Sequence, residues 1–440
     1  MTKCNTNFPV FQGPKSRKIE FNFNGGNISS DGGLLFIQEL DRKLDLTRRV
    51  GEILNKFDDR QPGKIQHSFS DMLRQRVYAL IAGYEDLNDH KELRSDLILQ
   101  SATGRDEELA SPSTLCRFEN NITHDACVEL CQLFIEFFIE SFDKAPKELI
   151  LDFDATDDRI HGKQEGYFFH GYYDHYCFLP LYVFCGKKLL VPYLRPSNID
   201  GAKHSLAILS LLVERLRQQW PEVQIIFRGD SGFCRRKLMT WCENNDVKYI
   251  IGLAGNSRLK ELSADIQEEA EKIYNASLEK SKLFTEFQYA AKTWHRERRV
   301  VAKAEHNSLG PNNRYIITNL EQEGQYLYEE IYCARGDMEN RIKEKQLYLF
   351  ADRTSCHLFD ANQFRLLLSS LAYIILEQLR DMILCGTEFA KASCASIRLY
   401  LIKIGAVVRR NTRKIYVALS NAYPYKELLE LIAAKIFAIQ

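Results

Sequence analysis

Two aspartates with a single residue between them, Asp152 and Asp154, follow an apolar run. The stretch from Ile150 to Asp158 reads I-L-D-F-D-A-T-D-D. Residues two apart on a β-strand point to the same face, so a strand here would present Asp152 and Asp154 together. Aspartate is depleted in strands, and a divalent metal is one reason to find two, because hard cations such as Mg²⁺ take oxygen ligands. The alternative is a strand that runs out into a polar turn.

Another aspartate, Asp230, follows the apolar run Val223–Phe227 and is flanked by Gly229 and Gly232. Ligands of open α/β sheets bind at the carboxyl ends of strands, and glycine lets a ligand approach the backbone there. A carboxylate beside Asp154 would repel it unless a cation lay between the two. Asp230 also fits a simpler role as a turn-capping residue.

An acidic residue with cationic neighbours occurs near position 339. Tyr332, Arg335, Glu339 and Lys343 are spaced by three, four and four residues, so a helix would carry them on one face. Such a glutamate can reach a metal while the flanking cations hold a phosphodiester. The alternative is a solvated helix face with ion pairs.

These candidate residues must be positioned by a β-β-β-α-β-α-β order of elements. The predicted elements are strands at Leu149–Asp154, Tyr176–Phe184, Lys188–Leu194, Val223–Phe227 and Lys248–Leu253, with helices at Ala202–Gln219 and Arg235–Asn245. This order predicts an α/β fold with a ribonuclease-H-like mixed sheet, in which the first and fourth strands are neighbours. Asp154 and Asp230 would then lie side by side.

The chain is long enough for several folded units, and the periodicity divides it into five regions. We predict a helical N-terminal DNA-binding region (1–147), a first part of the core (148–255), a β-rich insertion (256–323), a second part of the core with the glutamate helix (324–384), and a helical, basic C-terminal region (385–440).

Composition narrows the class of protein. The chain has 59 basic and 59 acidic residues, so it is not a simple polycation that coats nucleic acid, although local basic patches remain possible. Its N-terminus has no apolar signal core, no run is long enough to span a membrane, and its cysteines form no C-x-x-C pair. We expect a cytoplasmic protein with no membrane partner, associated with the nucleoid when active.

Several motifs together resemble the insertion-sequence transposases of the DDE type, in the group with a Tyr-Arg-Glu-Lys-type signature, and most closely insertion-sequence family thirteen-eighty. The fragments that carry the resemblance are S-S-D-G-G-L-L near the N-terminus, G-Y-E-D-L-N-D at Gly83–Asp89, L-A-S-P-S-T-L-C-R-F-E-N at Leu109–Asn120, D-F-D-A-T, R-G-D-S-G-F at Arg228–Phe233, and the glutamate helix. Their order along the chain matters more than any one fragment. We call residues 332–343 the signature segment.

The resemblance implies that Asp154, Asp230 and Glu339 are the catalytic carboxylates and metal ligands, with Asp152 as the fallback for the first position. It implies two Mg²⁺ ions, for which Mn²⁺ can substitute. Tyr332 and Arg335 match the signature and are expected to contact DNA. The signature lysine falls on Gln346, so we take Lys343 as its substitute, with Lys345 as an adjacent candidate.

Further DNA contacts are expected outside the signature segment. Trp294 and Arg298 lie in the insertion, where relatives carry an aromatic residue that receives a flipped base; a packing role for Trp294 is equally compatible with the sequence. Arg117 lies on a short helix that is either the second half of a helix-turn-helix or an ordinary bundle helix. Arg409 and Arg410 begin a basic stretch near the C-terminus.

The implied function is that of a bacterial DDE transposase. It binds terminal inverted repeats of double-stranded DNA, cleaves the ends with Mg²⁺ and joins them to target DNA, as a homodimer on DNA. Two alternatives stay open: a catalytically silent DNA-binding protein derived from a transposase, and a ribonuclease-H-like nuclease that cuts without strand transfer.

Overall fold

A computed structural model of the chain describes residues 10–439. Residues 1–9, which include the N-terminus judged to lack a signal, and Gln440 lie outside the described residues. The helices are α1 Leu34–Leu44, α2 Leu46–Lys56, α3 Phe69–Ala82, α4 His90–Leu93, α5 Leu97–Thr103, α6 Pro112–Asn120, α7 His124–Glu140, α8 Ser205–Gln219, α9 Arg236–Asn244, α10 Ser257–Leu262, α11 Ala264–Ser277, α12 Gly324–Tyr326, α13 Gly336–Leu349, α14 Phe359–Gln378, α15 Cys394–Ile397 and α16 Lys426–Ala438.

The strands alternate with these helices along the chain. They are β1 Val10–Gln12, β2 Lys18–Glu20, β3 Asn27–Ser29, β4 Glu148–Ala155, β5 Asp158–Arg159, β6 Phe168–His170, β7 His175–Phe178, β8 Leu181–Cys185, β9 Lys188–Tyr193, β10 Gln224–Gly229, β11 Lys248–Leu253, β12 Ser281–Tyr289, β13 Arg298–Asn307, β14 Gly310–Pro311, β15 Arg314–Thr318, β16 Ala406–Arg410 and β17 Ile415–Leu419.

A nine-stranded mixed sheet organises the molecule. Its first part has the order β9-β8-β4-β10-β11, in which β10 runs parallel to both β4 and β11. Strands β8 and β9 continue from β4 as an antiparallel meander. This arrangement confirms the predicted ribonuclease-H-like mixed sheet, with the first and fourth core strands as neighbours.

The β-rich insertion extends the same sheet. β15 pairs antiparallel with β11, and β13 and β12 follow it outward, with β14 paired to β13. Val300, Val301, Ile316 and Ile317 are fully buried at this junction, so an apolar contact on both faces holds the insertion to the core.

The predicted second strand, Tyr176–Phe184, is wrong as a single element. The structure divides it into β7 and β8, which belong to different sheets and are separated by Leu179 and Pro180. Proline has no N–H to donate and is tolerated in sheets mainly on edge strands, so Pro180 favours a break between β7 and β8. β7 instead pairs with β5 and β6 in a small three-stranded sheet beside the core.

Helices from both ends of the chain share one hydrophobic core. α14 is buried along nearly its whole length and packs against α3 and α7, while α7 also packs against β9. β3 near the N-terminus pairs with β16 near the C-terminus. Within residues 10–439, no helix is long and apolar enough to cross a membrane.

Candidate active site

Asp154 and Asp230 leave two neighbouring parallel strands at the same level. Phe153 of β4 pairs with Gly229 of β10, so the residue that follows each one reaches the carboxyl edge of the sheet beside the other. The alternation of β4 buries Phe153 against Phe227 and Phe233 on one face of the sheet. Asp152 and Asp154 therefore lie on the opposite face.

Asp230 makes the turn-capping contact that its sequence allowed, at the sheet edge beside the end of β4. Asp230 caps a short 3₁₀ turn, Ser231–Phe233, and its Oδ1 accepts a hydrogen bond of 2.8 Å from the Gly232 N–H. The turn lies against Gly252 of β11, where a Cβ atom would come 2.9 Å from Ser231 N and 2.5 Å from Tyr332 Oη. Glycine at 252 thus lets the Asp230 turn and Tyr332 both approach the strand.

The signature segment reaches this edge from the other side, but it is not one regular α-helix. Leu327–Tyr332 is a π-helical turn, Cys333–Arg335 is a 3₁₀ turn, and regular α13 begins at Gly336. The predicted uniform spacing is therefore wrong for its first part. A π turn holds one more residue than an α turn, and such turns occur frequently at functional sites.

Arg335 joins two of the three candidate carboxylates. Its Nη2 donates a short hydrogen bond to Glu339 Oε1, and its Nη1 lies 3.4 Å from Asp154 Oδ2. The Asp154 side chain is only 14% exposed, whereas that of Glu339 is 43% exposed. Glu339 thus lies on the solvent-exposed side of the site, and Asp154 lies on its buried side.

The electrostatics show crowded negative charge. Burial is the largest cause that raises the pKa of Asp154 to about 7; Arg335 lowers it, and the charges of Asp230 and Glu339 raise it further. Arg335 is the cation that offsets this repulsion at Asp154 and Glu339. A bound cation would favour the ionised form of Asp154.

The oxygen donors suit a hard divalent cation, but Arg335 now occupies the position between Asp154 and Glu339. Across residues 10–439, no three carboxylate, imidazole or thiol side chains are close enough to hold a metal ion in this conformation. Side chains would have to move, Arg335 first, before all three carboxylates could share an ion.

Asp152, the fallback, has a different set of contacts. It is 1% exposed and forms a two-pronged ion pair with Arg228, in which Nη2 lies 2.6 Å from Oδ2. Arg228 also donates to the carbonyl oxygen of Ile331 in the π turn. Asp152 thus holds the arginine that anchors the start of the signature segment.

Of the expected DNA contacts in the signature segment and just after it, Tyr332 is half-buried and lies against β11, and Lys343 is exposed on α13. Lys345 is fully buried, with Nζ 4.3 Å from the centre of the Tyr182 ring and 2.8 Å from Ser370 Oγ. Its burial leaves no surface to offer to DNA. Gln346, at the signature-lysine position, donates to Asp158 Oδ1 at 3.1 Å.

The two candidates of the insertion pack against each other. The Trp294 ring is half-buried, with its centre 5.5 Å from that of Tyr289 and 5.4 Å from the Arg298 guanidinium. Arg298 is 4% exposed and bonds to Glu243 with an Nε–Oε1 distance of 2.7 Å. In this conformation both side chains serve packing.

The remaining basic candidates lie on the helical side of the molecule rather than at the sheet edge. Arg117 is exposed on α6, and Arg409 and Arg410 are exposed on β16. Arg410 Nη1 lies 3.4 Å from Asp106 Oδ1. Within residues 10–439, the side-chain contacts of Arg117 and Arg410 are with Thr114, and with Gln100 and Asp106, rather than with the candidate carboxylates.

Sequence reasoning missed one feature next to the carboxylates, the β6–β7 hairpin. His175 Nε2 on this hairpin lies 2.7 Å from Asp157 Oδ2, three residues beyond Asp154. Burial first, and then the charges of Asp157 and Asp154, raise the pKa of Tyr173. The signal was present in the aromatic-rich sequence Y-F-F-H-G-Y-Y-D-H-Y.

Comparison with known protein families gives a match over nearly the whole chain. The model of the family described as "Transposase DDE domain group 1" matches residues 11–440. A cryo-EM structure of a piggyBac transposase synaptic complex with hairpin DNA is similar over 85% of this chain and 79% of that chain, with 11% identity and a TM-score of 0.44. No curated protein matches the sequence.

Proposed function

The chain belongs to the DDE transposase family of domain group 1, and from this premise we propose that it mobilises a bacterial insertion sequence of family thirteen-eighty. It would bind terminal inverted repeats, cleave the DNA ends and join them to target DNA. One observation carries the proposal: Asp154 and Asp230 follow paired residues of two neighbouring parallel strands, and Arg335 links Asp154 to Glu339 at the same edge of the sheet.

The three carboxylates would bind the metal, and they differ in how firmly the fold positions them. Asp154, Asp230 and Glu339 would hold divalent metal, two Mg²⁺ ions or Mn²⁺ in their place, which would supply activation of the attacking hydroxyl and stabilisation of the leaving oxygen. Asp154 and Asp230 are held by strand ends and a hydrogen-bonded turn, so their positions are rigid. Glu339 is on a helix and more exposed, so it can adjust.

Arg335 would change partner when DNA binds. Its planar guanidinium matches a phosphate as well as a carboxylate, and both interactions are two-pronged. A phosphodiester at the sheet edge would attract Arg335 away from Asp154 and Glu339, and would free these oxygens for metal. The same residue would then hold the scissile strand.

Recognition of the inverted repeats would lie elsewhere. Arg117 on α6 and Arg409 on β16 are exposed on the helical core that both ends of the chain build. Phosphate contacts from such residues give affinity that falls steeply with salt. Two copies, each holding one DNA end, would form the active homodimer.

The proposal is tested with purified chain, Mg²⁺ and a labelled DNA fragment that carries the terminal repeat found beside the gene. We expect nicking at the element end, and strand-transfer product when a pre-cleaved end is offered with target DNA. Asp230→Asn and Glu339→Gln should abolish both, whereas the matched exposed changes Asp246→Asn and Glu330→Gln should not.

Other outcomes would replace the proposal. Nicking without joining from a pre-cleaved end would favour the nuclease. Specific binding of the repeat with no metal-dependent nicking would favour the silent DNA-binding protein.

A further inference from the structure

We propose that the β6–β7 hairpin, residues 167–176, is a stacking platform for an unpaired DNA base next to the carboxylates. The inference rests on the proposed function, which it deepens by naming the surface that holds the opened end. Its occupant would be the last unpaired nucleotides of a DNA end, with Tyr172 at the tip as the principal stacking ring.

The hairpin exposes aromatic rings to an unusual degree. Tyr172 is 85% exposed, Phe169 is 51%, Tyr176 is 48% and Phe168 is 41%. Rings of this size bury well when they have a partner, and a contiguous exposed apolar patch commonly marks an interaction site. Here Phe169 and Tyr176 are paired on one face of the hairpin, and Tyr172 lies at its tip; Phe168, the residue before Phe169, points to the opposite face.

The rings form two packed groups, one at the tip of the hairpin and one on its strands. The Tyr172 ring meets the Tyr173 ring edge-on with centres 5.0 Å apart, and the Tyr173 ring is 4.9 Å from that of His170. On the strands, Tyr176 packs against Phe169 with ring centres 5.6 Å apart. Tyr173 is thereby held by neighbours, which leaves Tyr172 as the free face at the tip.

The tip is tied to the candidate active site. His175 bonds to Asp157, three residues after Asp154, and β5, the strand that follows β4, pairs with β7 of the hairpin. Asp174 closes the turn with a φ of 57°, a conformation that aspartate tolerates, and its N–H donates to the His170 carbonyl at 2.9 Å. This turn fixes the tip beside the end of β4.

The small sheet carries two cations that could follow a phosphate backbone, in addition to the acidic side chains of Asp157, Glu165 and Asp174. Arg159 and Lys163 are exposed near its base, and neither forms an ion pair with any residue between positions 10 and 439. Arg159 pairs in register with Cys177 of β7, so it is part of the same small sheet as the rings. Rings that stack bases and cations that track the phosphates are the two components of a site for single-stranded nucleic acid.

Trp294 is the other aromatic candidate for this task, and its surroundings differ. Its ring already contacts Tyr289 and the Arg298 guanidinium, and it is half-buried. A base could stack there only after these contacts broke. Tyr172 needs no such rearrangement.

The test uses the full chain with Asp230→Asn, so that DNA stays uncut, and an end whose last nucleotides are unpaired and carry 2-aminopurine. Stacking on Tyr172 should change the probe's fluorescence on binding. Tyr172→Ala should remove this change and weaken binding of the frayed end about tenfold, as expected for one stacked base, with little effect on a fully paired duplex. Tyr172→Phe should restore both.

Phe437→Ala is the matched control, because Phe437 is 69% exposed on α16, away from the sheet edge. The inference is overturned if Tyr172→Ala binds frayed ends and changes fluorescence like its parent. It is also overturned if the substitution changes only the oligomeric mass in sedimentation, since the hairpin would then be a contact between copies.

The two proposals can fail separately. If the chain with Asp230 intact stacks the probe on Tyr172 but does not nick DNA, the stacking inference stands and the proposed transposase function fails. If the chain nicks and joins DNA but Tyr172→Ala has no effect on the probe, the proposed function stands and the stacking inference fails.

Discussion

The Arg335 Nη1 atom lies 3.4 Å from Asp154 Oδ2, so a cation of the chain itself sits where the candidate carboxylates converge. The same guanidinium binds Glu339. Arg335 therefore stabilises a site whose acidic groups would otherwise repel, and it competes with any metal for their oxygens.

Arg335→Ala should strengthen metal binding and weaken DNA binding. The competing guanidinium is gone, so we expect the Kd for Mn²⁺, measured by electron paramagnetic resonance without DNA, to fall several-fold. Affinity for the DNA end should fall because a two-pronged phosphate contact is lost. Arg341→Ala is the control, since Arg341 pairs with Glu344 on the same helix. Unchanged Mn²⁺ affinity in Arg335→Ala would refute the competition.

Asp152→Asn and Asp154→Asn should have opposite consequences. Asp152→Asn leaves Arg228 buried without a charge partner, which costs about 3–5 kcal/mol of unfolding free energy. Asp154→Asn removes a crowded charge, so the fold should be retained while cleavage is lost. Urea unfolding and a nicking assay on both variants separate the roles. A stable, active Asp154→Asn chain would transfer the first catalytic position to Asp152.

Gly252→Ala should misplace Asp230 without unfolding the chain. The new methyl group would meet Tyr332 Oη at 2.5 Å and Ser231 N at 2.9 Å, so the turn or the tyrosine must shift. A misplacement of about 1 Å in an active site can cost about a hundredfold in rate. Adding Tyr332→Phe removes the nearest atom and should recover part of the nicking rate.

Gly255→Ala is the matched control for that experiment, because the nearest atom to a Cβ there is a Tyr315 ring carbon at 3.5 Å. Equal nicking by Gly252→Ala and Gly255→Ala would show that the close packing of the turn on β11 is not needed.

Asp158 should make stability depend on pH. Burial is the main cause that raises its pKa to about 8; Gln346 and Lys345 lower it and Asp352 raises it. The folded chain thus keeps a proton that the unfolded chain loses near pH 4, so this group's contribution to stability falls as pH rises from about 4 to 8. Asp158→Asn should remove that dependence.

Thermal unfolding in EDTA measures the effect. The gain in Tm from Asp158→Asn should grow between pH 5 and pH 8 and level off above it. A gain that is constant with pH, or that shrinks as pH rises, would mean that Asp158 is ionised in the folded chain.

The central architecture could be predicted because it depends on apolar runs and their order. β4, β10 and β11 are buried strands with strong periodic signals, and right-handed connections leave few ways to arrange them. The proximity of Asp154 to Asp230 follows from that arrangement, because each residue lies at the end of one of two paired strands. The β-rich insertion was visible as well, although its union with the core sheet was not.

Other features depend on tertiary contacts that a single sequence does not display. Lys345 is charged in sequence and was expected at DNA, yet the fold buries it against Tyr182 and Ser370. Arg298 similarly has its partner in Glu243, distant along the chain. In the π turn before Arg335, the Ile331 carbonyl oxygen accepts a hydrogen bond from Arg228, which is distant along the chain. Only Pro180, which divides the predicted second strand, was a local signal that could have been used.

The most direct test is a crystal structure of the chain bound to a DNA end in Mn²⁺, with anomalous scattering used to locate the metal. We predict manganese peaks coordinated by oxygens of Asp154, Asp230 and Glu339, with Arg335 moved to a phosphate. Manganese bound elsewhere, or an Arg335 guanidinium that still bridges Asp154 and Glu339 with DNA in place, would contradict the account.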